Sequence, residues 1–415
     1  MSRRIGQITV IQGGQYGSES KGMVAEQWAR ENRIENVIRT GSINAGHTAY
    51  AGGTKFVFQQ IPVAAISHLN GNGSYRPNIY IGPGAYIHEP TLDAEVKMVE
   101  EKDPQFKERL FIDHRATMHT DDHMTLAKEA NRHLSMGSTG KGCSEVMVRK
   151  IAMRGQEPRP ALASDRLAGK YNLVDLSEHI RGTVLIEGTQ GADLDVHLGP
   201  YPYVTSRMTS VAAWIAESGL PCIYVRPVVV FRSFPIRVAG NSGPMLNEIS
   251  WPELAREINR KLLFAGKPYL VNPYVVDAFE EKMANLTGYS VDCSQMHRLR
   301  GEERVVNRTA LSEAGREALN SMTDQEVTEL KKLFEFTTVT RKLRRIARFD
   351  YEQARRVINR DGAQDVVFTF MNYMFPCGDG NYDSVEWAKG VVANTDVKNV
   401  HVSFNPYGYG PAYTL

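Results

Sequence analysis

A short apolar, β-branched run, Ile8-Thr9-Val10-Ile11, leads into Gly13-Gly14-Gln15-Tyr16-Gly17-Ser18-Glu19-Ser20-Lys21-Gly22, and a helix-like segment, Met23 to Ala29, follows. A strand, a Gly-rich turn, a lysine and a helix start make a phosphate cradle. Glycines let backbone N–H groups approach oxyanions, the helix N-terminus favours negative charge, and the lysine adds a point charge. The common nucleotide-binding loop needs Gly-x-x-x-x-Gly-Lys-Ser/Thr. Here Gly22 follows the lysine, so no hydroxyl stands beside it to hold a metal ion. A lysine on the first turn of a helix opposes the helix dipole unless an anion is bound there, so a bound phosphate is expected at Lys21.

The same alternation continues along the chain. Val37–Arg39, Asn78–Ile81, Val184–Glu187 and Val366–Met371 read as short buried strands, and Cys222–Val225 and Val228–Phe231 as two strands split by Pro227. Helical periodicity runs through Thr91–Glu101, Met124–His133, Val211–Glu217, Trp251–Leu262, Asp324–Phe334 and Tyr351–Ile358. Strands followed by helices predict an α/β protein with a large, mostly parallel central sheet flanked by helices. Ligands in such sheets sit beyond the carboxyl ends of the strands, where the motif segments of this chain also fall. No repeat or linker divides residues 1–415, so a single domain is expected, with the polar stretch 265–335 as an insertion or lid.

Composition excludes other classes. Forty-nine Lys and Arg against 47 Asp and Glu leave a formal charge of +2, too little for a global field that gathers nucleic acid. No aromatic RNA-binding motif is visible. The four cysteines, Cys143, Cys222, Cys293 and Cys377, lack zinc-knuckle spacing and suit a reducing cytoplasm. The first apolar run is too short for a signal core, and no membrane-length segment follows.

Four further segments extend the pattern: Asn44-Ala45-Gly46-His47-Thr48, Ser138-Thr139-Gly140-Lys141-Gly142, Glu187-Gly188-Thr189-Gln190-Gly191 with Tyr201-Pro202-Tyr203-Val204-Thr205-Ser206, and Thr338-Val339-Thr340-Arg341-Lys342-Leu343-Arg344-Arg345. With the first loop, these blocks resemble, in order, the motifs of adenylosuccinate synthetases. The resemblance implies that family's P-loop-related fold. It also implies a carbon–nitrogen ligase of two steps, phosphorylation of a purine O6 and displacement of that phosphate by the aspartate amine.

The departure lies at Ser18, where the family carries an aspartate that takes the purine N1 proton and touches magnesium. A hydroxyl cannot be a base near neutral pH. A small neutral side chain there leaves room for a 2-amino group and can accept a hydrogen bond from it, which points to a guanine nucleotide. One branch of the family, phage enzymes that join dGMP to aspartate to give N6-succino-2-amino-2′-deoxyadenylate for 2-aminoadenine DNA, carries this change. The chain resembles that branch. The base that replaces the aspartate is left open between Glu19, water and the substrate. The alternatives are an ordinary synthetase using IMP and GTP, and an inactive nucleotide-binding regulatory protein.

The resemblance also distributes roles. Ser18, Lys21, His47 and Gln190 would be catalytic, with His47 as an imidazolium beside the developing charge. Ser18, Asn44, Ser138, Thr139, Gln190, Thr205 and Arg154 would bind dGMP. Arg154 stands beside Met153, the position of a family arginine that crosses to the neighbouring subunit of a homodimer. Gly17, Glu19, Ser20, Lys21, Gly22, Gly46, His47, Thr48, Arg345, Asn372, Gly408 and Pro411 would bind the triphosphate. Thr338, Thr340, Lys342 and Arg344 would bind aspartate, and Ser18 and Gly46 would hold Mg²⁺. At the donor base, Asn372 replaces a guanine-reading aspartate, and Gly408 precedes the final Gly410-Pro411 without the family's serine; both favour ATP or dATP over GTP. Asp193 and Asp195 are expected to cap their loop and not to bind metal.

Overall fold

The computed structural model describes residues 5–70, 73–130, 138–154, 159–238, 240, 242–287, 308–336, 342–378 and 382–415. Its centre is the first strand, β1 (Ile5–Gly13). The other strands of its sheet are, in chain order, β2 (Asn36–Arg39), β3 (Asn78–Ile81), β4 (Leu110–Asp113), β5 (Asn172–Val174), β6 (Gly182–Glu187), β7 (Val225–Arg232), β8 (Asp365–Thr369), β9 (Asn399–Val402) and β10 (Tyr413–Thr414). Across the ten-stranded sheet the order is β10-β9-β8-β7-β1-β6-β2-β3-β4-β5. Every pairing is parallel except that of the edge strand β10.

Burial on both faces explains why the strands read as continuous apolar runs. On one face Ile11 and Val37 pack with Val24 and Trp28 of helix α1 (Lys21–Glu31); on the other, Ile8, Val10 and Ile186 pack around Trp214. The expected break at Pro227 is absent: β7 runs through it, and Cys222 to Tyr224 precede the strand. Pro227 sits opposite Val10 of β1, and pairing with β8 begins one residue later at Val228, so the proline lies where only one neighbour flanks the strand.

The helices over Glu89–Glu100, Val211–Ser218 and Tyr351–Asp361 fall where the periodicity places them. Helix α2 (Asp121–Glu129) covers the start of the stretch read from Met124, and residues 131–133 lie outside the described residues. Helix α3 (Cys143–Ala152) follows it. The helix expected to Phe334 ends at Leu330.

A second core sits beside the sheet. Helices α4 (Trp251–Phe264), α5 (Pro273–Thr287), α6 (Arg308–Asn320) and α7 (Asp324–Leu330) bury Leu254, Ile258, Phe279 and Leu330, and Trp251 stacks on Phe334 at 5.8 Å. This core joins a three-stranded sheet in which Arg345–Ala347 lies between Ile236–Arg237 and Glu248–Ile249. Among the described residues no helix is long and apolar enough to cross a membrane.

Where β1 ends, Gly14 lies against the ring of Phe231: a Cβ there would stand 2.3 Å from Cε1. Phe231 is fully buried between Phe349 and Phe368 and has little room to yield. Gly14→Ala is expected to cost about 1–3 kcal/mol through overpacking. The measurement is the urea midpoint, and an unchanged midpoint would contradict the packing described.

Candidate active site

The loop after β1 is held from within. Glu19 accepts hydrogen bonds from the Gln15 and Gly17 N–H groups at 3.1 and 2.7 Å, and its other oxygen pairs with Lys21 Nζ at 2.8 Å. Lys21 also donates to the Gly17 carbonyl at 3.3 Å. Glu19 is thus a resident counter-charge for Lys21, and both side chains are 1% exposed. Glu19 braces the loop and does not line the cavity. Two of the three ammonium donors of Lys21 are engaged, which leaves one for a further oxyanion. Gln15 fastens the loop to β7 through both backbone groups of Arg232.

The Asn44–Thr48 segment leads into the hairpin strand His47–Ala51. That strand lies against the first turn of α1, where a Cβ on Gly22 would come 2.7 Å from the Thr48 carbonyl oxygen. This close approach is what Gly22 permits. His47 Nδ1 lies 2.5 Å from Glu187 Oε1, and Arg39 reaches the same oxygen at 2.9 Å. Burial first, and then the Arg39 charge, push the His47 pKa down to about 4. The imidazolium expected from the sequence is thus corrected: Arg39 already balances Glu187, and the ring is neutral near pH 7. A neutral ring bonded to a carboxylate carries its proton on Nδ1, which leaves Nε2 for the cavity.

These segments converge on a cavity of about 300 Å³. Gly17, Ser18, Asn44, Gly46, His47, Ser138, Thr139, Gln190, Thr205 and Arg344 line it, from six separate stretches of chain. Gln190 projects from a left-handed backbone position, φ 62°. Four more wall residues, Tyr16, Cys143, Tyr203 and Arg237, were given no role by the sequence: Tyr16 and Tyr203 lie within motif segments, Cys143 and Arg237 outside them. Arg237 lies 4.6 Å over the Tyr16 ring and donates to the carbonyls of Pro244 and Tyr203. Burial lowers its pKa to about 10, so it stays charged at neutral pH. With Lys141 and Arg344 it makes the cavity cationic, a place for phosphate or carboxylate.

Other expected residues stand apart from this cavity. Arg345 turns the opposite way from Arg344 and grips Glu248 and the Gly243 carbonyl. Lys342 pairs with Glu313, and Arg348 with Glu253 and Glu257. The cationic run thus spends most of its charge on carboxylates. Arg154 is exposed beyond the end of α3 and does not reach the wall. Thr338 and Thr340 lie outside the described residues. Ser20 and Asn372 line a second cleft of about 180 Å³ with Lys332, Phe370, Asn405 and Pro406. Gly408 and Pro411 belong to the adjoining turn; Gly408 packs on Gln27, whose Oε1 would meet a Cβ at 2.7 Å. Thr48 and Gly22 support the hairpin behind the first cavity. Asp195 caps its loop, accepting from the N–H groups of His197, Leu198 and Thr209. Asp193 accepts from Gln353.

The adenylosuccinate synthetase family profile matches residues 10–179 and 164–375. The chain belongs to the adenylosuccinate synthetase family. Family membership makes it a nucleotide-binding ligase of purine biosynthesis. The adenylosuccinate synthetase of Methanocaldococcus jannaschii is 33% identical over 255 residues, 59% of this chain and 69% of that protein. The Pyrococcus horikoshii enzyme is 29% identical over 60% of this chain and 71% of its own length. Among solved structures, the cyanophage S-2L succinoaminodeoxyadenylate synthetase, bound to dGMP and dATP as an energy donor, superposes with a TM-score of 0.67 at 24% identity. That match covers 99% of this chain and 97% of the cyanophage chain. The fully ligated adenylosuccinate synthetase of Plasmodium falciparum gives 0.63 at 16% identity, over 97% and 99%. Both share the fold.

Within this family fold, the Ser138–Gly142 turn rests on a histidine ladder. Gly142 adopts φ 75° and lies so close to α2 that a Cβ would stand 2.5 Å from the His123 carbonyl oxygen. His119 packs edge-on between His88 and His123, with ring centroids 6.0 and 5.6 Å away. Burial and the two neighbouring imidazoles push the His119 pKa down to about 4. The unfolded chain takes up this proton below about pH 6.5, while the folded state refuses it until about pH 4. Stability from His119 is therefore full above pH 6.5 and is lost as the pH falls through 4, on the order of 3 kcal/mol in all. His119→Gln is expected to flatten the fall of the melting midpoint between pH 6.5 and 4. An equal slope in wild type and variant would contradict the assignment.

Proposed function

We propose that this protein joins dGMP to L-aspartate, driven by ATP or dATP, to give N6-succino-2-amino-2′-deoxyadenylate for 2-aminoadenine DNA. The observation that carries the reading is Ser18 on the cavity wall, among Asn44, Gln190 and Thr205, where the family has a carboxylate. A serine admits and accepts from a 2-amino group; an aspartate fills that space with charge. The ligands named for the cyanophage structure, dGMP and dATP, support the same choice of substrate and donor. Asn372 in the second cleft, with both a donor and an acceptor, does not demand guanine of the donor.

In this reading the 5′-phosphate of dGMP lies against Ser138, Thr139 and Thr205, and Gln190 pairs with the purine edge. O6 attacks the γ-phosphorus, the bond to the bridging oxygen breaks, and the nucleoside diphosphate leaves. The aspartate amine then attacks C6 and phosphate departs. Arg344 and Arg237 are placed to receive carboxylate or phosphate, and Lys21 offers its remaining N–H beneath the loop. Ser18 Oγ and the Gly46 carbonyl are two neutral oxygens. They suit a Mg²⁺ ion that takes most of its ligands from phosphate and water, and such an ion neutralises phosphate charge.

The reading includes a homodimer in the cytoplasm. Leu126 of α2 and Val148 and Ile151 of α3 are 48%, 63% and 56% exposed, and the latter two lie within six residues of Arg154 in the chain. A second copy covering this stripe would bring Arg154 toward its neighbour's nucleotide. Val148→Glu with Ile151→Glu is expected to yield a monomer by sedimentation velocity; a dimer that survives both charges would place the contact elsewhere. The archaeal relatives are named adenylosuccinate synthetases, which supports the alternative reading of this chain as an ordinary synthetase acting on IMP.

Phosphate release with Mg²⁺, aspartate and ATP decides between dGMP and IMP. Turnover with dGMP and little with IMP is the expected result, and turnover with IMP alone would overturn it. Ser18→Asp is expected to lower kcat/KM for dGMP by about 100-fold or more, the scale of a lost positioning or hydrogen-bond term.

A further inference from the structure

We propose that Arg39 and Glu187 act as a positioning pair for His47 and the Asn44–Gly46 turn, an inference that rests on the ligase reading above. The two residues are the last of adjacent parallel strands, β2 and β6, and stand opposite one another in register. Both side chains are wholly buried. Glu187 Oε1 receives Arg39 Nη1 at 2.9 Å and His47 Nδ1 at 2.5 Å, and Oε2 receives the Val63 N–H at 2.8 Å. The other end of the Arg39 guanidinium donates to the Ala45 carbonyl at 2.5 Å. One ion pair thus fixes the ring of His47, the backbone one residue before Gly46, and the start of the segment that backs the hairpin.

Such a pair is a poor way to gain stability. Withdrawing two charges from water costs several kcal/mol for each ion, and well-packed apolar residues of similar volume often serve the fold as well or better. What apolar residues cannot do is aim an imidazole and hold a carbonyl. The fit is also close: a Cβ on Gly41 would stand 3.2 Å from Arg39 Nε and 2.8 Å from Thr189 Cγ2. The pair therefore contributes orientation at the rim of the cavity, where a misplacement of about 1 Å can cost about 100-fold in rate. Neither residue touches the cavity, so both act through His47 and the turn.

The test replaces both charges, Arg39→Met together with Glu187→Met. The variant is expected to stay folded with a lowered melting midpoint, because the Val63 N–H, the His47 Nδ1–H and the Ala45 carbonyl lose their buried partners. On whichever of dGMP or IMP the wild type turns over, kcat is expected to fall about 100-fold while KM for that nucleotide stays within about threefold. A folded double variant with wild-type kcat would overturn the proposal.

A second readout needs neither turnover nor the double variant. In ¹⁵N-labelled wild type, the His47 Nδ1–H proton, assigned by its loss in His47→Gln, is expected at low field and shielded from solvent exchange. In Glu187→Gln it is expected to move upfield and exchange faster. The same shift in both proteins would overturn the positioning role. A wild type inert toward dGMP and IMP alike would count against the ligase reading, and the resonance would still decide the role of Glu187.

Discussion

The Glu19 carboxylate organises the centre of this molecule. It gathers the N–H groups of Gln15 and Gly17 and the ammonium of Lys21, and so gives the loop after β1 one shape. Without it, a buried lysine at a helix N-terminus would face the positive end of the dipole with no counter-charge. The loop in turn fastens to β7 through Gln15, and Gln353 donates to the Gly14 carbonyl from the helix over Tyr351–Asp361. The loop is therefore held in shape by its own residues, with one lysine donor and the Ser18 hydroxyl left for chemistry.

Electrostatic balance at the strand ends follows a consistent rule: charges that hold structure are paired and dry, and charges free for ligands face the cavity. Arg39 with Glu187, Arg345 with Glu248 and Arg207 with Glu217 belong to the first group. Arg237 and Lys141 belong to the second. This division explains how a nearly neutral protein presents a cationic cavity. Burial, together with the arginine that already satisfies the carboxylate beside it, leaves the His47 ring neutral.

The parallel sheet determines why distant segments meet. The loops after β1, β2 and β6 leave from the same edge because the three strands are adjacent and parallel, and the small sheet around Arg345–Ala347 closes the cavity from the other side. The helical core behind that sheet gives its short strands a rigid backing, with Ile236, Ile249 and Ile346 packed into it.

By itself the sequence determined the α/β alternation, the five motif segments and their family, because buried parallel strands and glycine-rich turns leave local patterns in the chain. It also carried Ser18, whose meaning needs only the chemistry of a hydroxyl. The partners of charged groups were decided by the tertiary structure. Arg344 and Arg345 are alike in sequence, yet strand alternation sends one to the cavity and the other to Glu248. His47 read as a cation until Arg39 appeared beside Glu187, a contact made by two strands 148 residues apart. Arg237 and Cys143 line the cavity without a motif, since their roles arise from where other elements place them. A pKa or an ion pair depends on what lies within a few ångströms, and only the folded chain sets those distances.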